Sequence, residues 1–463
     1  MVLPLIVCFI YGEQDWSAFA IVLAITLSSG LALNYLPRPE SKIMKRRDGM
    51  LLASVAWIVC SLFGMIPFII SATHLNVSEA FFETMSGFTT TGATVIRDVE
   101  SCSKGLLFWR GLIQWIGGLG IVLFTLAFIP ALNNSGSLML FHAEATGITH
   151  DKLAARISLT AKMLWGLYSI FTVVLVLLLW CGPMNLFDSV CHAMTCISTG
   201  GYSTHNDGIA AFDSSYVKIV LTIFMFLGGV SFGLIILSVK SSWREMWRND
   251  VFRAFLYMIG IFYVLIVSAI IYRGHYTGWK SVTIDPLFHI VSAMTSTGFS
   301  AGDWEGWGKI VLTITLFMMY VGACAGSTTG GAKIDRIVYL FKNFKSVMRK
   351  YVRPRLVTSV DVNGQFVNAE RGAEISAFMF IYTILIVIGG MVLVYQGFPI
   401  VDAFFSSVSC VSNNGLGAGV TGITGSFDFL PASGKWVMSA LMLAGRLEII
   451  TLLTLLSPSF WRS

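Results

Sequence analysis

The sequence has 463 residues, of which 55% are hydrophobic and 12% are charged, and its formal net charge is +6. Soluble domains contain roughly 25% charged residues, so this composition excludes a disordered chain and argues against a soluble enzyme. Stretches of about 20 apolar residues indicate a polytopic membrane protein instead. The eight cysteines include no CxxC pair, which argues against a zinc site or a disulfide framework.

The apolar runs predict the membrane segments in chain order. The first run, 2–10, is too short to cross about 30 Å of hydrocarbon, and it lacks the basic flank of a signal peptide, so a truncated or shifted start is an alternative. Nine longer runs follow, at 17–36, 50–71, 106–132, 164–181, 216–239, 254–272, 310–325, 376–395 and 436–456.

Basic residues are concentrated in alternate loops, at 38–47, 240–253 and 333–355. Because loops rich in Lys and Arg remain in the cytoplasm, these three loops and the C-terminal tail are predicted to be cytoplasmic. The net positive charge is therefore explained by topology, and nucleic acid is not expected as a partner. Asp335, in the third basic loop, is expected to be solvated.

Four shorter, partly polar segments between the runs resemble one another. They read EAFFETMSGFTTTGAT, DSVCHAMTCISTGGYS, DPLFHIVSAMTSTGFS and DAFFSSVSCVSNNGLG, and begin at Glu79, Asp188, Asp285 and Asp402. Thirteen residues after each acid comes a glycine: Gly92, Gly201, Gly298 and Gly415. An offset that is kept four times is hard to obtain by chance, and it predicts a unit of span, half-span and span that is used four times.

Each half-span has a physical interpretation. About 10 to 12 helical residues cover roughly 15–18 Å, half the hydrocarbon thickness. The initial acid complements the helix dipole, so we interpret the four acids as helix caps and not as ion ligands. The Thr, Ser, Asn and Gly that follow favour non-helical backbone, which a membrane tolerates only where it is buried or lines a cavity. Four such strands around one axis would direct carbonyl groups inward as in an ion filter. His192 and His289 share one offset from their acids and are interpreted as packing residues.

Together with these segments, three stretches make the sequence similar to the membrane subunits of Trk-type potassium uptake systems, the TrkH/TrkG proteins of the Trk/Ktr/HKT superfamily. They are FWRGLIQWIGGLGI at 108–121, GACAGSTTGGAKIDRI at 322–337 and AGRLEIITLLTLLSPSFW at 444–461. The resemblance covers nearly the whole chain. It implies an all-α membrane protein with four span–pore helix–span repeats around a central pore, plus two N-terminal helices, of which the first looks clipped here.

The resemblance also implies an organisation and a function. The N-terminal helices and basic loop would occupy 1–47, and the four repeats 48–140, 141–245, 246–355 and 356–463. Potassium would be the transported ion, taken up across the bacterial cytoplasmic (inner) membrane without an organic cofactor or enzymatic activity. The implied partners are a second copy of the chain, as a homodimer, and a TrkA-type nucleotide-binding subunit in the cytoplasm.

The resemblance places a potassium filter at three residues of each repeated segment. These are Thr90, Thr91 and Gly92, then Thr199, Gly200 and Gly201, then Ser296, Thr297 and Gly298, and finally Asn413, Asn414 and Gly415. Within the superfamily, Ser at the first filter glycine goes with sodium transport. Gly92 stands at that position here, so the resemblance favours potassium over sodium.

A glycine-rich stretch interrupts the second span of the third unit. It consists of Gly326, Ser327, Thr328, Thr329, Gly330 and Gly331. Three glycines at roughly 1 kcal/mol each argue against a continuous helix. The resemblance places an intramembrane gating loop here, and a packing kink without a gating role is the alternative. The stretch does not match the G-x-x-x-x-G-K-[ST] pattern of a phosphate loop.

Arg446 lies in the middle of the last predicted span, where an Arg costs about 2.5–3.5 kcal/mol on insertion scales and marks a functional site. Glu448 is about 200° away around the helix, so we do not expect the two to pair. We expect Arg446 to face the pore and to oppose cations or hold the loop, with a purely structural pairing as the alternative.

Two other functions were weighed against a channel-like uptake protein. A potassium transporter coupled to protons or sodium, as in a symporter, usually needs an acidic or histidine relay at the midplane, and no acid apart from Glu448 lies within the spans. An intramembrane enzyme could use Ser198, His192 or His205. These residues fall inside the filter repeat, however, and an enzyme does not need four copies of it.

Overall fold

The structure is a computed structural model that describes residues 1–35, 46–120, 157–274, 278–355, 359–422 and 425–462. The N-terminal helices are α1 (Val2–Tyr11) and α2 (Trp16–Asn34). The first unit contributes α3 (Arg46–Gly64), α4 (Ile66–Ile70), α5 (Val77–Phe88) and α6 (Lys104–Gly118). The part of the predicted 106–132 run that begins at residue 121 lies outside the described residues.

The remaining elements follow the same order of span, short helix and span. The second unit has α7 (Ile157–Trp180), α8 (Leu186–Ile197), α9 (Ser215–Gly229), α10 (Phe232–Lys240) and α11 (Arg244–Arg248). The third has α12 (Asp250–Arg273), α13 (Trp279–Met294), α14 (Lys309–Val321) and α15 (Ile334–Val352). The fourth has β1 (Val360–Val362), β2 (Gln365–Val367), α16 (Ala369–Tyr395), α17 (Ile400–Val411), α18 (Ala432–Arg446), α19 (Ile450–Leu456) and α20 (Pro458–Arg462). Four short 3₁₀ helices lie in the described loops, at Gly208–Phe212, Glu305–Trp307, Gly419–Thr421 and Phe427–Phe429.

A two-stranded hairpin precedes the fourth unit's first long helix, and the sequence analysis did not predict it. β1 and β2 are antiparallel, with Val360 opposite Val367. The turn is Asn363-Gly364, and both residues have positive φ, 55° and 74°. Asn-Gly with this conformation is the preferred two-residue hairpin turn because its twist matches that of the strands.

Five segments of the described chain are long and apolar enough to cross a membrane: Trp16–Asn34, Arg47–Ile70, Thr160–Trp180, Asp250–Arg273 and Ala369–Tyr395. They coincide with five of the predicted runs. Large apolar side chains on these helices stay exposed in the monomer, for example Val173 and Val264, at 58% and 66%. Exposed apolar surface of this kind suits lipid contact.

The short helices α5, α8, α13 and α17 are the half-spans, and we call them the pore helices. Three of them have 12 residues, which gives a length of about 18 Å. Their acids occupy the third helical position in α5, α8 and α17. In α5, Asn76 and Glu79 form a reciprocal capping box, and in α8 the Asn185 side chain caps the Asp188 amide at 2.8 Å. These contacts fit the interpretation of the acids as caps.

In the second, third and fourth units, the second helix breaks close to the pore helix. The break in the third unit was predicted, and α14 indeed ends at Val321, 13 residues before Ile334. The apolar runs predicted at 216–239 and 436–456 are also interrupted, which the sequence analysis did not predict. α9 and α10 are bent by 92°, and α18 ends before Glu448 and Ile449, whose φ values are 57° and 47°. Hydropathy alone could not locate these breaks, because the residues on both sides remain apolar.

Glycines at the ends of these second helices allow backbone to approach backbone. A Cβ added to Gly117 would lie 1.8 Å from the carbonyl oxygen of Phe88, at the end of α5. A Cβ on Gly445 would lie 2.0 Å from the carbonyl oxygen of Val411, at the end of α17. Small residues at helix contacts serve this purpose in membrane proteins. In the first and fourth units the second helix is therefore pressed directly against its own pore helix.

This packing predicts that Gly117→Ala destabilises the protein, by about 1–3 kcal/mol as overpacked substitutions generally do. Gly166→Ala is the matched control, because a Cβ at Gly166 meets nothing within 4 Å. Ala is a better helix former than Gly, so the control should be neutral or slightly stabilising. Thermal unfolding of both variants in detergent is the measurement. Equal unfolding temperatures would contradict the close contact between α6 and α5.

Candidate functional site

The four segments that follow the pore helices share one backbone conformation. The glycines Gly92, Gly201, Gly298 and Gly415 have φ values of 75–81°. The residues two positions before them, Thr90, Thr199, Ser296 and Asn413, have φ values of 50–56°. Glycine adopts this left-handed conformation freely, whereas Thr and Ser adopt it only where their surroundings impose it. The constant offset between acid and glycine predicted that the four segments are structurally equivalent. Their backbone angles agree with this prediction.

The four segments also form a closed ring. Each glycine lies against the carbonyl group of the next segment, so a Cβ added to it would come within about 2 Å of that oxygen. The four contacts are Gly92 with Gly200 (2.1 Å), Gly201 with Thr297 (1.9 Å), Gly298 with Asn414 (2.1 Å) and Gly415 with Thr91 (2.1 Å). The order runs from the first unit to the fourth and back to the first. The predicted filter residues are thus brought together around one centre.

Hydrogen bonds from side chains on the outside of the ring connect its segments. Asn413 donates to the Thr91 hydroxyl at 3.0 Å, which joins the fourth segment to the first. Asn414 donates to the Ala293 carbonyl at 2.7 Å, which joins the fourth segment to the third pore helix. The Oδ1 atoms of both asparagines are buried and have no hydrogen-bond partner.

Gln114 in α6 is a ring contact that the sequence analysis missed. Its amide donates to the Gly200 carbonyl at 2.7 Å and accepts from the Tyr202 amide at 3.1 Å. One side chain of the first unit thus fixes the backbone of the second segment on both sides of Gly201. The available signal was a buried amide, together with Arg110, in an otherwise apolar helix. The two residues are four apart and share a helix face.

The outer loops repeat the same circular order. Four hydrogen bonds connect neighbouring units: Val99 N to Asn206 Oδ1 (2.7 Å), Ile209 N to Ser300 O (3.0 Å), Gly419 N to Glu305 Oε2 (3.1 Å) and Phe427 N to Thr94 O (2.7 Å). The Asn206 amide also donates to Asp98, and this hydrogen bond lowers the pKa of the Asp98 carboxyl. The ring is thus closed at two levels, in the segments and in the loops above them.

The glycine-rich stretch predicted as a loop lies against the ring. The Thr328 hydroxyl is within hydrogen-bonding distance of the Ile197 carbonyl, at 3.1 Å, where the second pore helix ends. The Gly330 amide donates to the Ser296 hydroxyl at 2.7 Å. A Cβ on Gly330 would lie 2.0 Å from the Ser412 carbonyl oxygen. The loop therefore contacts the second, third and fourth units at the ends of their pore helices.

Arg446 holds this loop. Its guanidinium donates to the Thr328 carbonyl at 3.1 Å and to the Gly117 and Gly118 carbonyls at 2.5 and 2.6 Å. One side chain of the fourth unit therefore connects the loop of the third unit to the end of α6 in the first. Of the two roles considered from sequence, opposing cations and holding the loop, these contacts directly support the second.

Glu448 has other partners than Arg446, as expected. Its carboxylate pairs with Lys333 at 3.1 Å and with Arg336. This cluster ties the start of α15 to the break between α18 and α19. The expectation that Asp335 is solvated is wrong, because the side chain is buried with 4% exposure at the start of α15.

The two pore-helix histidines lie in packed surroundings. The side chains of His192 and His289 are buried, and His289 stacks on Trp304 with 4.6 Å between ring centroids. His192 bonds to the Asp188 carbonyl at 2.8 Å and to the Ser203 hydroxyl at 3.0 Å. These contacts agree with the packing role that the sequence suggested.

Comparison with known proteins gives a consistent result over the whole chain. The family model TrkH, described as a cation transport protein, matches residues 16–463. The Trk system potassium uptake protein TrkH of Escherichia coli K12 is 34% identical over 100% of this chain and 96% of that protein, and TrkG of the same organism is 31% identical over 100% and 95%. The crystal structure of the potassium transporter TrkH from Vibrio parahaemolyticus superimposes with a TM-score of 0.89 at 30% identity, covering 100% of this chain and 96% of that one.

Proposed function

The chain belongs to the TrkH family of cation transport proteins, and we propose that it takes up potassium across the bacterial inner membrane through a pore at the centre of the ring. The observation that carries this proposal is the closed contact of four glycines with four neighbouring carbonyl groups. Potassium is proposed as the ion because similar proteins are named as potassium uptake proteins.

The proposed filter consists of the four segments at 90–92, 199–201, 296–298 and 413–415. Left-handed residues alternate with others in each segment. In the proposed filter, this alternation lets backbone carbonyl groups face the pore. A ring of such carbonyls replaces the water shell of a cation and lets it pass without a carrier cycle. Potassium is thus the transported substrate, and the mechanism requires no organic cofactor.

The proposed gate consists of the loop at 326–331 together with Arg446. In this proposal the loop closes the pore on the cytoplasmic side of the ring, and the three carbonyl contacts of Arg446 hold it there. A TrkA-type cytoplasmic subunit would release the loop, and the functional unit would be a homodimer. α15, which follows the loop and ends in Arg349 and Lys350, offers a basic surface for contact with that subunit.

Potassium-dependent growth tests the function. A bacterium that lacks its own uptake systems should grow at low potassium when it carries this chain together with a TrkA-type partner. Purified chain in proteoliposomes should take up potassium in preference to sodium. Failure of both assays with folded, membrane-inserted protein would refute the proposed function.

Gly92→Ser should weaken the preference for potassium over sodium. The added side chain would come within 2.1 Å of the Gly200 carbonyl oxygen, and φ at Gly92 is 81°. Displacement of the carbonyl groups of one segment should reduce the ratio of potassium to sodium uptake by about tenfold, or ~1.4 kcal/mol. Gly397→Ser is the matched control, because φ there is 94° and a Cβ meets nothing within 4 Å. An unchanged ratio in Gly92→Ser would show that Gly92 lies outside the filter.

Arg446→Ala should increase potassium flux in the absence of the partner. The change removes three contacts that hold the loop, and it removes a charge worth about 4 kcal/mol to a cation at 4 Å with an effective dielectric of 20. Water in the pore reduces this value, so we expect about tenfold to hundredfold, or ~1.4–2.8 kcal/mol. Arg446→Lys keeps the charge and should retain most of the restraint.

The measurement for Arg446 is flux per folded protein, with folding quantified by size-exclusion chromatography after extraction. Thr328→Val supplies a second variant, because it keeps the shape of the side chain but removes the hydroxyl that reaches the Ile197 carbonyl. It should increase flux in the same direction. A parallel loss of folded yield and flux in Arg446→Ala would mean that the residue acts only as a structural pair.

A further inference from the structure

A buried ion pair lies behind the ring, between the first two units. Glu83 in the first pore helix and Arg110 in α6 are 0% and 2% exposed, and Arg110 Nε is 2.9 Å from a Glu83 carboxylate oxygen. The arginine also stacks over the Tyr202 ring at 4.1 Å. Neither residue was singled out by the sequence analysis, and the proposed filter and gate do not include them.

Both members of the pair bind the backbone where two neighbouring segments leave the ring. Glu83 accepts the Val95 amide at 2.9 Å and the Thr94 hydroxyl at 3.0 Å. Arg110 donates to the Ser203 carbonyl at 3.1 Å. Thr94 and Ser203 are equivalent positions, each two residues after its ring glycine. The pair therefore fixes the exits of the first and second segments relative to each other.

Among the four repeated segments, only the first carries an acidic residue at the position of Glu83. The residues four positions after the initial acid are Glu83, His192, His289 and Ser406, so the other three units carry uncharged or weakly basic side chains there. His192 reaches the same Ser203, through its hydroxyl, at 3.0 Å. A buried ion pair is weak evidence for added stability, because desolvation of both charges offsets their attraction. Its use in positioning backbone is the better explanation here.

We propose that Glu83 and Arg110 are positioning residues that determine ion selectivity by holding the first and second segments in register. The proposal rests on the proposed potassium uptake. The pair is buried behind the ring, and its contacts described above are with protein groups. It acts through the backbone at Thr94 and Ser203, and through the Tyr202 hydroxyl, which donates to the Glu83 carbonyl at 2.8 Å. Loss of the pair frees two of the four segments to shift, and the carbonyl sets at Gly92 and Gly201 no longer match one ion size.

The test compares Glu83→Gln/Arg110→Gln with the wild type in proteoliposomes. The double variant removes both charges, so it leaves no unpaired buried charge, whereas a single change would. The readout is the ratio of potassium to sodium uptake per folded protein. We expect the ratio to fall by about tenfold, or ~1.4 kcal/mol. A purely structural role would lower the yield and both fluxes together without changing the ratio.

Lys218→Met/Asp285→Asn is the matched control. This pair, with 2.7 Å between the charged atoms, connects the third pore helix to α9, and Asp285 precedes the ring glycine Gly298 by thirteen residues. The ratio of potassium to sodium uptake in this control should equal that of the wild type. If the Gln double variant does not fold, Arg110→Lys is the alternative test. Lysine keeps a positive charge for Glu83 but lacks the forked guanidinium group that also reaches Ser203. The ratio of potassium to sodium uptake should therefore still fall.

Two outcomes separate this inference from the proposed function. A wild-type protein that does not prefer potassium would overturn the proposed function itself. A selective wild type whose folded variants keep its ratio would overturn only the positioning role of Glu83 and Arg110. A ratio that falls equally in the Lys218→Met/Asp285→Asn control would also overturn it, because selectivity would then respond to any ion pair near a pore helix.

Discussion

The structure depends on one steric constraint, which is the absence of space for a Cβ at four glycines. Each of these glycines has its neighbour's carbonyl oxygen where a side chain would be, so only glycine allows the four strands to close into a ring. Closure forces the preceding Thr, Ser or Asn into left-handed angles that such residues avoid. The pore helices, the second helices pressed against them and the hydrogen-bonded outer loops together hold this strained backbone in place.

The backbone of the ring has approximate fourfold symmetry, but the side chains around it are closer to twofold symmetry. In the first and third units the residues before the ring glycine form hydroxyl pairs, Thr89 with Thr91 at 2.8 Å and Thr295 with Thr297 at 2.7 Å. The same two units have their initial acid paired with a lysine from the preceding unit in the circle, Lys435 with Glu79 and Lys218 with Asp285. In the second and fourth units, Gly200 and Asn414 replace the second threonine. Four equal backbones can therefore be supported by unequal side chains, and the Glu83–Arg110 pair adds a further difference.

The sequence predicted the features that local chemistry determines. The acid, the half-length helix and the glycine thirteen residues later occur within one stretch of chain, so their repetition was visible and the structure brings them together. The breaks after Gly229 and Arg446 were missed, since apolar residues flank both breaks and the cause is tertiary: the loop at 326–331 and the ends of the pore helices occupy that space. Gln114 was missed for a related reason. A polar residue in an apolar helix signals a partner, but Gly200, 86 residues away, could only be identified once the ring was closed.

The loop contacts imply that the proposed gate and the proposed filter are mechanically connected. Gly330 donates to Ser296, which is one of the strained residues of the third segment, with φ of 50°. Thr328 contacts the end of the second pore helix and, through its carbonyl, Arg446. The loop cannot move away from the ring without breaking hydrogen bonds to residues that hold the ring. A strained backbone keeps its conformation only while its surroundings impose it, so release of the loop must also loosen the third segment. If the loop is the gate, selectivity in the open state would then depend less on the loop and more on contacts that do not involve it, such as those of Gln114 with the second segment and of Asn413 with the first.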